Sequence, residues 1–348
     1  MDLTTDFRMY FLDAYGAAGD GVTNDSGAFQ ACINDMPSRG GVLYLSAKNY
    51  RLNSQITINK RVTVIGQGLG DQYLLSDAGT RLITTNTNIE LFVLTGGMIS
   101  FEKIAFINAS VTTPTSGCAI KTLAGATTSL AYSNGGIDYY EFESGYRFRD
   151  CGFSKFFCGI DFESAYLFTI DGCVFVSSYG RGIRLRNLTL PDGGDSVITN
   201  SFFFGGGGSN IGILQSSQSG IKVSGCKFNG CAKGYSGGNT YGAGSIIMFS
   251  NNSIENFSGC GAEFYGELIV FNSNQLAAYL PNPDYCIKFD NAKEVSCIGN
   301  VMKGTTVTSG GILVANSDNV LLDNVYSNFG VKPKVVITSS TNVVNRNA

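Results

Sequence analysis

The stretch DCGFSKFFCGIDFE, residues 150–163, is followed at 171–186 by DGCVFVSSYGRGIRLR, and the two share one pattern. A small residue is followed two places later by an aromatic one, and then by a Gly-Ile phrase with alternating charges. The first phrase recurs as TNSFF, SGCKF, SNNSI, NSNQL, IGNVM and LDNVY. Its small or amide residue falls at Cys151, Cys173, Ser201, Cys226, Asn252, Asn274, Asn300 and Asn324, on average about 25 residues apart, a period typical of solenoids. The second phrase returns as GIL at 212, GAEFY at 261, CIKFD at 286 and GILVA at 311. Each phrase alternates apolar and polar positions over four to six residues, the mark of a short strand with one buried face.

Three short strands per lap, each pairing with its equivalent ~4.8 Å above and below, make an all-β fold: a right-handed single-stranded parallel β-helix. In that fold Phe153, Phe175, Phe203 and Phe228 stack as a column inside, continued by Ile254, Leu276, Met302 and Tyr326. Asn252, Asn274, Asn300 and Asn324 form an amide ladder at an inward bend, each bonding to its equivalent in the next coil. Cys151, Cys173 and Cys226 hold the same place in earlier coils as small buried hydrophobes.

Composition agrees with this reading. The 45 glycines are close to twice the usual ~7% share, and charged residues at 15% fall below the usual ~25%, so turns are many and helices few. A net charge of −3 without any basic run argues against nucleic-acid binding. No apolar run approaches the ~18 residues of a membrane span, and no membrane partner is expected. MDLTTDFRMYFLDAYG has neither a basic start nor an apolar centre, so the chain is expected to be made without a signal peptide. The ten cysteines include no C-x-x-C pair and read as reduced buried thiols. Histidine is absent, which excludes Ser-His-Asp and Cys-His catalysis and disfavours a zinc site; no metal or other cofactor is expected. Chemistry must come from Asp, Glu, Arg, Lys or Tyr.

An open solenoid end needs a cover. YGAAGDGVTNDSGAFQACIND, residues 15–35, is suited to that role: Gly16, Gly19 and Gly21 permit a tight loop, and Asn24 or Asp25 can cap a helix. Phe29, Cys32, Ile33 and Met36 form the helix's apolar stripe. The expected organisation is an N-terminal cap over 1–40, a β-helix with groove-forming loop insertions over 41–335, and a final strand or tail over 336–348.

GAAGDGVTNDSGAFQACI, with GGVLYLSAKNYRL and VTVIGQG after it, resembles the N-terminal signature of the pectate-lyase-like β-helix superfamily, common in bacteriophage tailspikes and capsule depolymerases. The motif covers about residues 12–70 and the coil pattern extends the likeness to about 330; an ND pair stands where the family usually has DD. The resemblance implies a homotrimer on a phage virion, alongside other tail proteins, acting on a bacterial surface polysaccharide with paired carboxylates. Two motifs of the superfamily, the Gly-His-Gly of polygalacturonases and the Asp-Pro-His-Glu of alginate epimerases, need a histidine that this chain lacks.

The second strand type places Asp161 and Glu163 outward, with Arg184 and Arg186 one coil on. Residues two apart on a strand lie ~6.5–7 Å apart on one side, so Asp161 and Glu163 are the candidate acid and base of a glycoside hydrolase, and the arginines could orient an acidic sugar. The alternative is a surface ladder of salt bridges. Glu263, Lys288 and Asp290 extend the same face as candidate substrate-binding residues. Long insertions around it add Asp192 and Asp195 in a glycine-rich loop, and Glu141 and Glu143 on an outward strand face. In the absence of tryptophan, Tyr166, Tyr241 and Tyr265 are available for sugar stacking. The functional expectation is a depolymerase cleaving capsule or O-antigen by acid/base hydrolysis. The alternatives are a lyase on a uronate glycan, and a β-helix that only binds glycan or serves as a fibre spacer.

Overall fold

Strands from Met9–Phe11 to Thr341–Asn345 land lap upon lap in parallel register, in a computed structural model that forms an all-β parallel solenoid of about ten turns. It describes residues 8–70, 78–123, 132–133, 138–139, 145–163, 165, 167–186, 196–205, 210–216, 220–238, 246–278, 285–304, 310–329 and 333–346. Three faces result. The first runs through Gly41–Tyr44, Val62–Ile65, Ser100–Glu102 and Arg147–Arg149. The second runs through Ala105–Asn108, Gly152–Ser154, Val174–Val176 and Phe202–Phe204. The third stacks Glu90–Leu94, Cys118–Thr122, Cys158–Glu163, Arg181–Arg186, Ile211–Gln215 and Lys233–Gly238, then the first parts of Ala262–Asn272 and Tyr285–Lys303. A separate antiparallel pair joins Tyr132–Ser133 to Asp138–Tyr139.

The aromatic column stands as expected and begins one lap earlier. Ring centroids from Phe106 through Phe153, Phe175, Phe203 and Phe228 are 5.0, 4.8, 4.7 and 4.6 Å apart, with the rings nearly parallel. Ile254, Leu276, Met302 and Tyr326 continue it in register. Each fully buried ring contributes about 1.5–3 kcal/mol by leaving water. The column also explains the glycine of the second phrase. A Cβ on Gly182 would sit 2.7 Å from the Gly212 carbonyl oxygen and 2.8 Å from the Phe203 ring; one on Gly159 would meet Phe175 at 2.7 Å. Glycine is there for close approach, not for an unusual φ.

The amide ladder closes the bend beside this column. Asn300 Oδ1 accepts from the Asn274 backbone N–H at 2.8 Å and from its Nδ2 at 3.0 Å. Asn300 Nδ2 donates to the Phe271 carbonyl at 2.8 Å and to Asn324 Oδ1 at 2.7 Å. Asn252 and Asn274 repeat the pattern, and Cys226 begins it by donating its N–H to Asn252 Oδ1 at 2.9 Å. All ten cysteines are free and buried.

The helix Ser26–Asp35 buries Phe29, Cys32 and Ile33, with Met36 buried just beyond its end. Phe29 meets Phe92 edge-on at 5.3 Å. Gln30 bonds both backbone groups of Thr57, accepting at 2.9 Å and donating at 3.1 Å, and so pairs strand Ile56–Ile58 on the side away from Glu90–Leu94. The two capping candidates divide the work between them. Asn24 Oδ1 accepts from Ser26 N–H at 3.2 Å, whereas the buried Asp25 carboxylate accepts from Ala18, Gly19 and Arg51 backbone N–H groups and makes no side-chain bond to the helix. Asp25 still stands at the N-cap position, its backbone carbonyl accepting from Phe29 N–H at 3.0 Å, while its carboxylate serves the loop and the first coil.

Asn300→Ala removes the partner of two buried donors and of the Phe271 carbonyl, and is expected to cost roughly 2–4 kcal/mol. Gly182→Ala is expected to cost about 1–3 kcal/mol by overpacking alone. Thermal melting followed by circular dichroism checks both, and melting points unchanged from the wild type would refute the ladder's role.

Candidate functional site

The outward side of the third face carries most of the candidate residues that the structure describes. Asp161 is directly opposite Arg184 in the strand register, and Glu163 opposite Arg186. The register pairs are not the bonds formed. Arg184 donates Nε to Asp161 Oδ1 at 2.7 Å and Nη2 to Oδ2; Arg186 reaches diagonally, donating Nε to Oδ1 at 3.1 Å and Nη2 to Oδ2 at 2.8 Å. Glu163 accepts from Arg186 Nη2 at 3.2 Å.

Asp161 and Glu163 therefore stand inside an ion-pair network with the two arginines. Both oxygens of Asp161 are bound by two guanidinium forks, and its side chain is only 4% exposed, against 16% for Glu163. Burial alone would raise the Asp161 pKa, but the hydrogen bonds and charges of Arg184 and Arg186 outweigh it and hold the carboxyl below its ordinary value. Arg184 is correspondingly raised by its bond to Asp161. A carboxylate held ionised in this way is no proton donor at neutral pH. For these four residues the ion-pair ladder describes the connectivity.

A second cluster lies further along the same face. Glu263 receives Lys233, Lys288 at 3.2 Å and the Ser236 hydroxyl at 3.1 Å, and Lys288 also reaches Asp290 at 3.2 Å. Burial would raise the Glu263 pKa, but the two lysines bring it below the usual range. Tyr265 is half-buried and donates its hydroxyl to the Gln215 carbonyl at 3.1 Å, so its polar end is already engaged. Towards the N-terminal coils, Lys121 pairs with Glu90 at 2.5 Å.

Glu141, Glu143, Tyr166, Asp192, Asp195 and Tyr241 lie outside the described residues. Sequence reasoning missed Lys121, Arg181, Lys233 and Ser236. Lys233 was findable, because KGYSGG follows the SGCKF phrase at the distance where other coils carry their Gly-Ile strand. Among the described residues no group of three or more His, Cys, Asp or Glu is placed to hold a metal ion. A shallow cleft of about 400 Å³ at the bend outside the amide ladder is lined by Lys227, Asn251, Ser253 and Gln275 and contains none of the candidates.

Laps, column and ladder define a pectate-lyase-like parallel β-helix. The chain belongs to the family described as rhamnogalacturonase A/epimerase, pectate lyase-like, whose model matches residues 12–263. Mannuronan C5-epimerase AlgE1 of Azotobacter vinelandii is 33% identical over 84 residues, a match spanning 22% of this chain and only 6% of that relative. Among solved structures, the DFA-IIIase of Arthrobacter chlorophenolicus A6, without its lid and in complex with GF2, is similar with a TM-score of 0.69 at 13% identity over 96% of this chain and 93% of that one. The enzymatically active domain of bacteriophage CBA120 tailspike protein 2 is similar with a TM-score of 0.57 at 12% identity over 97% of this chain and 47% of that one. Both structural likenesses are likenesses of fold.

The Asp161 clamp predicts a pH signature. Its folded pKa lies below the ~3.9 of an unfolded aspartate, so it contributes stability that is complete above about pH 4 and is lost as pH falls through the folded value. Asp161→Asn leaves the partly buried Arg184 guanidinium without its carboxylate and Arg186 with Glu163 alone, and is expected to cost about 3 kcal/mol at neutral pH. Wild-type and variant melting points should converge on acidification; a constant gap would contradict the clamp.

Proposed function

We propose that this protein is a tailspike-like depolymerase that binds a bacterial surface polysaccharide along the third face and cleaves it. The observation that carries this reading is the strip of ionised side chains from Glu90 and Lys121, through Asp161, Arg184 and Arg186, to Lys233, Glu263 and Lys288. At ~4.8 Å per lap it extends roughly 30–35 Å along the axis, the proportions of an extended glycan rather than of a small metabolite. Family membership and the tailspike likeness of fold support it. The protein acts in this reading as a homotrimer on a phage virion.

Hydrolysis by acid and base assigns the two carboxylates unequal roles. Asp161, with both oxygens engaged by Arg184 and Arg186, positions those two arginines, and Glu163, more exposed and sharing a single arginine nitrogen, handles the proton. A second reading, a lyase on a uronate glycan, is favoured by one specific observation: strand Arg181–Arg186 presents three arginines, a concentration of positive charge suited to acidic sugars. The epimerase motif that requires histidine forms no part of either reading.

Incubation with a panel of purified capsules and O-antigens, followed by fragment mass analysis, tests the proposal. Hydrolysis adds one water per cut, whereas elimination leaves an unsaturated, ultraviolet-absorbing end. Glu163→Gln is expected to slow cutting at least a hundredfold, the usual scale for a general acid or base. Binding without cleavage of any substrate in the panel would replace the depolymerase with a glycan-binding spacer.

A further inference from the structure

The outward row of the second face changes character along the axis. Strand register carries it from Val174 through Phe202, Lys227, Ser253 and Gln275 to Val301. Phe204, two positions beyond Phe202 on the same strand, also points outward. It is 41% exposed, and its ring lies nearly parallel to that of Phe202 with centroids 6.2 Å apart. Apolar groups thus precede and follow a polar interval of three laps, and the exposed ring forgoes the stabilisation that burial would give it.

The polar interval is concave. The cleft of about 400 Å³ lies there, between the row and the bend where Gly225, Asn251 and Ser273 take left-handed φ of 66°, 57° and 58°. Buried Asn252 lines it from within and is held by the amide ladder, donating Nδ2 to the Val223 carbonyl at 3.0 Å and to Asn274 Oδ1 at 3.1 Å. Lys227, the one cation of the lining, pairs with Glu255 at 3.4 Å, and the Ser253 hydroxyl donates to Glu255 at 2.9 Å. The Asn251 and Gln275 amides and the Ser273 hydroxyl are exposed and make no side-chain hydrogen bond among the described residues. The hollow is therefore balanced in charge, firm beneath, rich in free donors and acceptors, and flanked by an aromatic pair.

We infer that this cleft, with Phe202 and Phe204 at its edge, is a second, non-catalytic site that binds neutral hexose units of a glycan. It lies on a different face from Asp161 and Glu163 and does not depend on cleavage there. A pyranose is amphipathic: its C–H bonds gather on one ring face, which suits an aromatic ring, and its hydroxyls project from the rim. Each primary amide donates and accepts at once, and so matches a pair of neighbouring hydroxyls. The volume falls in the range of small-molecule sites. Because Lys227 is already matched by Glu255, an acidic sugar gains no unpaired cation here. Asn251 and Ser273, like Ser253 and Gln275, stand one lap apart at ~4.8 Å, so successive sugars of a chain lying along the axis meet similar groups. Where the third face engages the same polymer, this second contact raises the effective concentration of the rest of it there.

The test uses the full chain in saturation-transfer NMR, with maltotriose, cellotriose and galactotriose as neutral ligands and trigalacturonate as the acidic one. At least one neutral trisaccharide is expected to receive saturation at millimolar concentration, most strongly at the C–H protons of one ring face. Phe204→Ser should weaken that binding about tenfold, and so should Asn251→Gly combined with Gln275→Ala. All three side chains are exposed and glycine suits the left-handed backbone at Asn251, so melting points should stay within a few degrees of the wild type. Glu163→Gln should leave neutral-sugar binding unchanged. Silence from all three neutral sugars would overturn the site. Binding lost in Glu163→Gln but kept in the second-face variants would also overturn it, returning the sugar to the third face. A trigalacturonate signal that falls in Phe204→Ser as the neutral one does would overturn the preference for neutral sugars. An oligomer that dissociates in Phe204→Ser, read by sedimentation, would overturn the site by assigning the rings to contact between copies of the chain. Neutral-sugar binding at these residues in a protein that cuts no polysaccharide would retain this inference and remove the depolymerase.

Discussion

Each lap of this chain must come down on the previous lap with the same residue over the same residue, and the rest of the structure depends on that registration. Parallel backbone pairing alone does not select a register, because sliding by two residues keeps every inward side chain inward. The interior selects it. Phe153, Phe175, Phe203 and Phe228 fit only ring over ring, and the glycines beneath them exclude any side chain from the space the rings occupy. The amide ladder adds direction and polarity to the same constraint. Each Asn oxygen must find the backbone N–H of one particular residue in the preceding coil, and a slip would strand both buried partners.

The same registration explains which parts of the molecule were legible in the sequence. Inward positions meet the same environment once per lap, so they repeat in residue type, and a small residue followed by Phe two places on betrays them. The glycine of the second phrase repeats for the same reason, although its cause, contact with the Phe203 and Phe228 rings at Gly182 and Gly212, is visible only in three dimensions. Outward positions carry no such repetition. Counting along the strands was enough to bring Asp161 and Glu163 together with Arg184 and Arg186. It did not reveal that Arg186 reaches diagonally past its register partner to Asp161, because long side chains choose partners by reach and charge. Arg181 was overlooked because simple alternation fails where Gly182 and Ile183 both face inward. Lys233 was overlooked because its strand, KGYSGG, lacks the Gly-Ile phrase that marked the others.

Electrostatics along the third face divides the strip into unlike segments. Among the described residues, Asp161 is shared by Arg184 and Arg186, whereas Lys233 and Lys288 are balanced by Glu263 and Asp290. Leu214 carries the outward row between the two clusters. The described outer row thus runs from an arginine-rich segment through an uncharged position to a balanced ionic cluster. The acidic centres Asp161 and Glu263 are both held ionised by paired cations, and they remain so through the neutral range. Because these groups are partly buried, added salt screens them less than it screens an open surface pair.

Rigidity of the inner column has a chemical consequence for the outer strip. An outward side chain on a strand has its Cα fixed by the inward residues on either side: Ile183 and Leu185 hold Arg184, and Ile160 and Phe162 hold Asp161, all four being buried. The spacing between outward groups is thus set by the lap height and not by the groups themselves. Substitution on the outside changes charge and hydrogen bonding while leaving that spacing alone, so the solenoid presents fixed stations, one per lap, to a repeating ligand. Preorganisation of this kind removes most of the entropic cost of aligning several contacts at once. It also separates fold from reaction: the interior column fixes the backbone, and the outer row carries the chemistry of the face.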